Sequence, residues 1–298
     1  MKLVSYALDA SGKILSSTYV PARIVRGRHR SVLARFLPSD ARIQPGKWRW
    51  LAASRAPDQN CAPPAQPPCW HRFPSDRVRS ITVRTPRLRG CTAAGSPYRR
   101  SGPRGRKQIA LTFDDGPSPF TASILRVLNR FDAKATFFVL GGRIAGRQRM
   151  LRRVLREGDE LANHSWSHSM LAAGGGGAFN EIRRTNALIR SATGYTPCLF
   201  RAPYGAISRA LVAQARRAAL ATIEWDVDPR DWSTPGAGTI FTRVVGSARG
   251  GSIIVMHDGG GPRRQTVQAV VAIIKRLRAR GYELTTVSQM LGFKQLYR

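Results

Sequence analysis

The sequence predicts an α/β protein built on a parallel sheet, preceded by a long basic segment without regular structure. Three observations predict it. From Lys107 onward, short apolar runs alternate with amphipathic stretches of helical period. Side chains able to carry chemistry fall just after the apolar runs. Residues 1–105 show neither pattern; Pro and Arg recur there, with Pro-rich Ala62–Pro68 and basic Arg77–Arg89. The expected division is therefore 1–105, an irregular leader, and 106–298, the folded domain.

The elements follow in order. Ile109-Ala110-Leu111 makes Gln108–Phe113 a buried strand. Ile124, Leu125, Val127 and Leu128 put an apolar face on the helix Thr121–Arg130. β-Branched and aromatic residues make Ala135–Leu140 a second strand. Met150–Glu157 is helical, with Leu151, Val154 and Leu155 on one face, and Glu160–Ala162 is a short strand. Gly174–Gly177 reads as a flexible break before the helix Ala178–Ala192. Leu199–Arg201 is a strand, and Ser208 is placed to cap the helix Ser208–Arg217. Leu220–Val227 is a strand, Thr239–Ala248 a helix and Ser252–Met256 a strand. Thr266–Arg280 is a long amphipathic helix, and Glu283–Thr286 is the seventh and last strand; Leu291 and Phe293 read as core. Such alternation implies a parallel sheet covered by helices. The carboxyl ends of its strands share one rim, so residues far apart in sequence converge there.

The 298 residues carry a formal charge of +32, with +17 in residues 1–106 and +15 in residues 107–298. That balance favours anionic partners, such as a wall polymer, an anionic membrane surface or nucleic acid. The four cysteines, Cys61, Cys69, Cys91 and Cys198, fit no zinc spacing. Cys198 reads as a small buried apolar residue before a strand. No 18-residue apolar run is present, and Met1–Val20 lacks the apolar core of a secretory signal. The GxSxG elbow of serine hydrolases and the glycine patterns of nucleotide-binding loops are absent as well.

Chemistry concentrates at Thr112-Phe113-Asp114-Asp115-Gly116-Pro117. Two adjacent carboxylates at the end of a buried strand are costly unless compensated. A cation is the simplest compensation, and His164-Ser165-Trp166-Ser167-His168 supplies two imidazoles four residues apart. Asp115, His164 and His168 with open positions beside them form a catalytic metal arrangement, read here for Zn²⁺, with Co²⁺ as the alternative.

These segments, with Arg201-Ala202-Pro203-Tyr204-Gly205, Asp228-Pro229-Arg230-Asp231-Trp232 and Met256-His257-Asp258, resemble the polysaccharide deacetylases of the NodB-homology type, carbohydrate esterase family 4. The five segments stand in that family's order, and the resemblance spans roughly residues 106–293. It implies a distorted (β/α) barrel of seven strands. It also implies a metal-dependent hydrolase removing N-acetyl groups from a GlcNAc-containing polymer, peptidoglycan or chitin-like, outside the cell membrane. Asp114 would be the general base and His257 the general acid, since an amine leaving group needs a proton. Arg201 would pair with Asp114 in a bidentate fork. Asp231 would orient His257, a role for which Asp228 competes. Tyr204 and Trp232 would face a sugar ring, and the backbone N–H of Tyr204 would help hold the oxyanion. The same site would also serve an O-acetyl xylan esterase. The reading from another class is a basic polymer-binding protein with a retired site; nucleic acid is not an expected partner.

Overall fold

The computed structural model describes residues 88–297 throughout and, ahead of them, only short strand segments between residues 2 and 83. Met1–Pro86 and Arg87–Arg298 are separate compact units. In the first, Lys2–Leu8 pairs antiparallel with Ile14–Pro21, and Gly46–Arg49 with Ser80–Val83. Arg23–Arg26 pairs likewise with Val32–Arg35, and Ala53–Ser54 with His71–Arg72; the remainder of residues 1–87 lies outside the described residues.

The second unit runs β1 (Leu88–Thr92), β2 (Tyr98–Arg99), β3 (Gln108–Gly116), α1 (Pro119–Arg130), β4 (Ala135–Val139), α2 (Gln148–Arg156), β5 (Glu160–Asn163), α3 (Gly175–Thr193), β6 (Leu199–Phe200), α4 (Arg209–Arg217), β7 (Ala221–Ile223), α5 (Ala237–Ser247), β8 (Ile253–His257), α6 (Arg264–Ala279), β9 (Glu283–Leu284), α7 (Val287–Met290) and β10 (Lys294–Tyr297). The sheet has the order β2-β7-β6-β5-β4-β3-β8, every pair parallel, and β9 adds to β3. Its two ends approach each other. Val227, just past β7, bridges Ile254 of β8, and the Val255 N–H donates to the Val227 carbonyl at 3.0 Å. The result is a curled α/β sheet of eight strands with seven α-helices around it among the described residues.

All seven expected strands are present with shifted ends, and β3 shows why the pattern was readable. Ile109 through Gly116 are buried, as suits a central parallel strand covered on both faces. Ser118 starts α1 with a capping box: its hydroxyl accepts from Phe120 N, and Thr121 Oγ1 accepts from Ser118 N. Ser208 caps α4 as expected, accepting from Leu211 N at 3.0 Å. On α6, Ala269, Val270, Ile273, Ile274 and Leu277 form the buried stripe that the helical period implied. The glycine run is not a loop before α3. Gly175–Gly177 form its first turn, where the backbone tolerates them, and the helix is longer than expected at that end.

Two features were not anticipated. Cys198 is buried, but as half of a disulfide with Cys91 rather than as a free apolar side chain. Its partner lies in the stretch that showed no pattern, so spacing could not join them. Residues 88–105 also pack with the second unit, ahead of the expected boundary at residue 106. β1 pairs with β10, Gly102 N donates to Gly251 O at 2.8 Å, and Glu224 N donates to Arg99 O at 2.8 Å.

The folded unit should therefore tolerate a start at Arg87 but not one at Arg104. The shorter chain loses β1, β2 and the disulfide, the last alone contributing roughly 2–5 kcal/mol. For a unit of this size that corresponds to about 5–20 °C in melting temperature. Thermal melts of the two shortened chains under oxidising conditions check this; equal melting temperatures would make β1 peripheral.

Candidate active site

β3 ends by leaving strand geometry at Asp115, whose φ is 72°. The register against β4 slips at this point, so Asp114 and Asp115 are released from the opposite-face alternation of a strand. Both carboxylates then reach one cleft. Gly116 must lack a side chain, because a Cβ there would collide with the carboxylate of Asp258.

Asp115 meets the two histidines at that rim. Its Oδ1 lies 3.5 Å from His164 Nε2 and 3.2 Å from His168 Nε2. The three ligand atoms fall within 4.8 Å of one another. His164 Nδ1 lies 2.9 Å from the carbonyl oxygen of Arg201. A carbonyl can only accept, so Nδ1 carries the proton and Nε2 offers a lone pair to the cleft. Burial pushes the His168 pKa down, with help from His164, which favours a neutral ring. Asp115 is held below the usual carboxylate range: burial would raise it, but the nearby imidazoles, His164 foremost, outweigh that. Asp115 Oδ1 is buried without a hydrogen-bond partner. Lone pairs of one carboxylate and two imidazoles thus converge on a small space, a donor set that fits a divalent cation.

Arg201, fully buried, sits behind this group. Its Nη1 donates to Asp114 Oδ1 at 2.8 Å and to Thr112 Oγ1 at 2.7 Å. Nε donates to Ile223 O and Nη2 to Glu224 O, both at 3.2 Å. The contact with Asp114 is therefore single, not the expected bidentate fork, because the rest of the guanidinium is spent on backbone carbonyls. The guanidinium also lies 4.0 Å from the centre of the Phe138 ring.

His257 ends β8 directly beside Asp114, the two being register partners across β3 and β8. Its Nδ1 lies 2.7 Å from Asp231 Oδ1, and its backbone N–H donates to Asp231 Oδ2 at 2.9 Å. Thr266 Oγ1 donates to Asp231 Oδ2 at 2.7 Å. Burial lowers the His257 pKa, but the Asp231 bond and the surrounding carboxylates raise it further, so the net shift is upward. Asp228 is exposed and accepts from Arg230 N at 2.7 Å, so Asp231, not Asp228, faces the histidine.

Tyr204 is 66% exposed, with its ring 4.4 Å from that of His168. Trp232 is 48% exposed at the other side of the motif set, with Arg230 over its ring at 5.3 Å. A cavity of about 500 Å³ opens over Asp115 and His168 and is lined further by Leu140, Arg143, Trp166 and Tyr204. Sequence reasoning assigned no role to Arg143, Trp166 or Thr266. Trp166 was visible inside the histidine segment; Thr266 sits at the start of α6 with no local signal.

Comparison with known proteins decides the family. Residues 101–223 match the family model described as polysaccharide deacetylase. A peptidoglycan-N-acetylglucosamine deacetylase of Bacillus cereus is 37% identical over 200 residues, covering 64% of this chain and 92% of that protein. The chain belongs to the polysaccharide deacetylase family. A chitooligosaccharide deacetylase of a Bradyrhizobium species is 38% identical over 200 residues, 62% of this chain and 91% of that one. The crystal structure of a peptidoglycan N-acetylglucosamine deacetylase superposes with a TM-score of 0.64 at 34% identity, covering 66% of this chain and 94% of its own. A family 4 pseudoenzyme from Bacillus anthracis shares the fold too, with a TM-score of 0.62 at 27% identity, covering 66% and 69%. The fold alone therefore does not decide activity within this deacetylase family.

The Asp231–His257 pair makes a pH prediction. A histidine that must give up a proton fails as pH rises through its pKa. Asp231 raises that pKa, so Asp231→Asn should move the basic limb of the pH–kcat profile to lower pH. A basic limb that stays in place would mean that another group limits activity there.

Proposed function

We propose that this chain is a metal-dependent deacetylase that hydrolyses the N-acetyl groups of a GlcNAc-containing polymer, peptidoglycan or a chitin-like oligosaccharide. The observation that carries the reading is the juxtaposition of two opposed proton-transfer pairs, Asp114–Arg201 and His257–Asp231, at the rim that holds Asp115, His164 and His168. Relatives acting on both polymers support the substrate class.

Asp115, His164 and His168 would hold the cation, most simply Zn²⁺. When bound there, such an ion polarises an amide carbonyl and acidifies water. The chain's own groups supply the rest. Asp114, oriented by Arg201, takes a proton from the attacking water. His257, whose pKa is raised on balance by Asp231 against its burial, delivers a proton to the departing sugar nitrogen. One water and one amide thus become acetate and an amine. The Tyr204 backbone N–H would add a donor to the oxyanion, and the exposed rings of Tyr204 and Trp232 would take the sugar faces. A disulfide in the catalytic unit suits an oxidising compartment, which supports action outside the cytoplasm. Among the described residues no helix is long and apolar enough to cross a membrane.

Acetate release from chitooligosaccharides, peptidoglycan and acetylxylan, with and without chelator, tests this reading. Release from the first two, lost with chelator, is expected. Release from acetylxylan alone would favour an O-acetyl esterase, and no release would favour a binder. Asp114→Asn should keep the metal yet lower kcat roughly 10²–10⁴-fold, the scale of a lost general base. His164→Ala should lose metal and activity together, read by elemental analysis; full metal occupancy would remove His164 from the ligand set.

A further inference from the structure

The two histidines of the metal triad are held in different ways. The His164 ring is oriented by its own hydrogen bond to the Arg201 carbonyl. No such bond reaches Nδ1 of His168 among the described residues; its ring meets only Asp115, His164 and Tyr204. The direction of His168 must then come from the backbone that carries it. That backbone is not relaxed: Ser165 has φ 71° and His168 has φ 63°. Left-handed conformations in non-glycine residues persist only where the surroundings enforce them.

Accounting for the amides of this loop shows what enforces it. His164 N donates to Val139 O at 3.0 Å. Ser165 N donates to Asn163 Oδ1 at 2.8 Å, and His168 N to Ser165 Oγ at 3.1 Å. The two remaining amides, Trp166 N and Ser167 N, both donate to Glu181 Oε2 on α3, at 2.9 and 2.8 Å. The Ser167 hydroxyl donates to the same oxygen at 3.0 Å. Glu181 is thus the one charged acceptor on the loop, gathering three donors between the two ligands. Charge-assisted bonds of this kind are about twice as strong as neutral ones.

We infer that Glu181 is a positioning residue for the metal site, fixing His168 through the loop backbone without touching the ion or the substrate. The inference rests on the deacetylase reading and adds a helix residue that no motif contains. Neighbouring contacts agree with it. Asn163, which bonds Ser165, also donates to Ile182 O and Asn186 Oδ1, so α3 holds the loop at its start as well as its middle.

The test measures Zn²⁺ affinity of the full-length chain by competition with a chromophoric chelator, with the Co²⁺ absorption spectrum and the melting temperature of the metal-free form alongside. Glu181→Ala should weaken Zn²⁺ binding about 10–100-fold, the usual effect of removing a group that orients a ligand. It should also alter the Co²⁺ bands. Glu181→Gln, whose amide oxygen still accepts but carries no charge, should fall between the alanine variant and the original, measurably weaker than the latter. A Glu181→Ala chain that binds Zn²⁺ within twofold of the original overturns the proposal, and so does a lower metal-free melting temperature at unchanged affinity, which marks a merely structural role. Should the alanine variant not fold, Glu181→Gln decides: its loss of charge should weaken binding measurably, and an unchanged Kd overturns the proposal. An unsubstituted chain that binds neither metal overturns both this and the deacetylase reading; one that binds while Glu181→Ala binds equally well overturns this alone.

Discussion

A guanidinium buried in the middle of the sheet sets the terms for everything at the rim. Arg201 has no exposed surface, and an unpaired charge there would be prohibitive. Its donors are met by Asp114, Thr112 and the carbonyls of Ile223 and Glu224, which ties β3 to the end of β7 across the curled sheet. Burial lowers its pKa and Asp114 opposes the shift, so the pair is electrostatically interdependent. The same residue's carbonyl fixes the proton of His164. One side chain and its backbone thus orient both a candidate base and a candidate metal ligand. Replacing Arg201 removes the guanidinium that holds Asp114 and leaves in place the carbonyl that holds His164, so a single substitution separates the two contacts.

On the opposite wall the logic is repeated with smaller parts. Asp231 collects the ring and backbone nitrogens of His257 and the hydroxyl of Thr266, three donors on two oxygens. Its burial is acceptable because each donor is directed at it. The two carboxylates nearest the cleft, Asp114 and Asp115, also raise the His257 pKa. The cleft therefore keeps a carboxylate paired with arginine on β3 and a proton-rich imidazole on β8, side by side in register.

Much of this was legible in the sequence because the fold hides it so little. Strands buried on both faces read as continuous apolar runs, and reactive residues sit where the runs stop. Asp114, Asp115, His164, His168, Arg201 and His257 were all placed at strand ends, and the structure brings them to one rim. What the sequence did not show depends on partners chosen in three dimensions. Asp228 and Asp231 are equivalent on paper; only the path of the chain after β7 turns Asp231 inward. Cys91 sits in a stretch with no periodicity, and its pairing with Cys198 needs β1 to lie beside the sheet. Thr266 and Glu181 are ordinary helix residues until a loop carboxylate or a loop amide is set against them.

Backbone strain marks the site as clearly as the side chains do. Eight described non-glycine residues have positive φ, and Asp115, Ser165, His168, Tyr204 and Arg230 among them belong to the motif segments. Each such conformation costs on the order of 1–3 kcal/mol. Asp115 and His168 are of types that enter this region more readily than most, but Tyr204 and Arg230 are not. Glycine would be the relaxed choice at each, and the chain uses it freely elsewhere. Asp115 and His168 keep side chains whose oxygen and nitrogen atoms point into the cleft from these left-handed positions. The strain is held by the rigid parts around it: the buried strand β3, the Arg201 anchor, and helix α3 with its grip on the histidine loop. Rigidity in the sheet and helices and strain in the loops are thus two sides of one arrangement, with the first making the second sustainable.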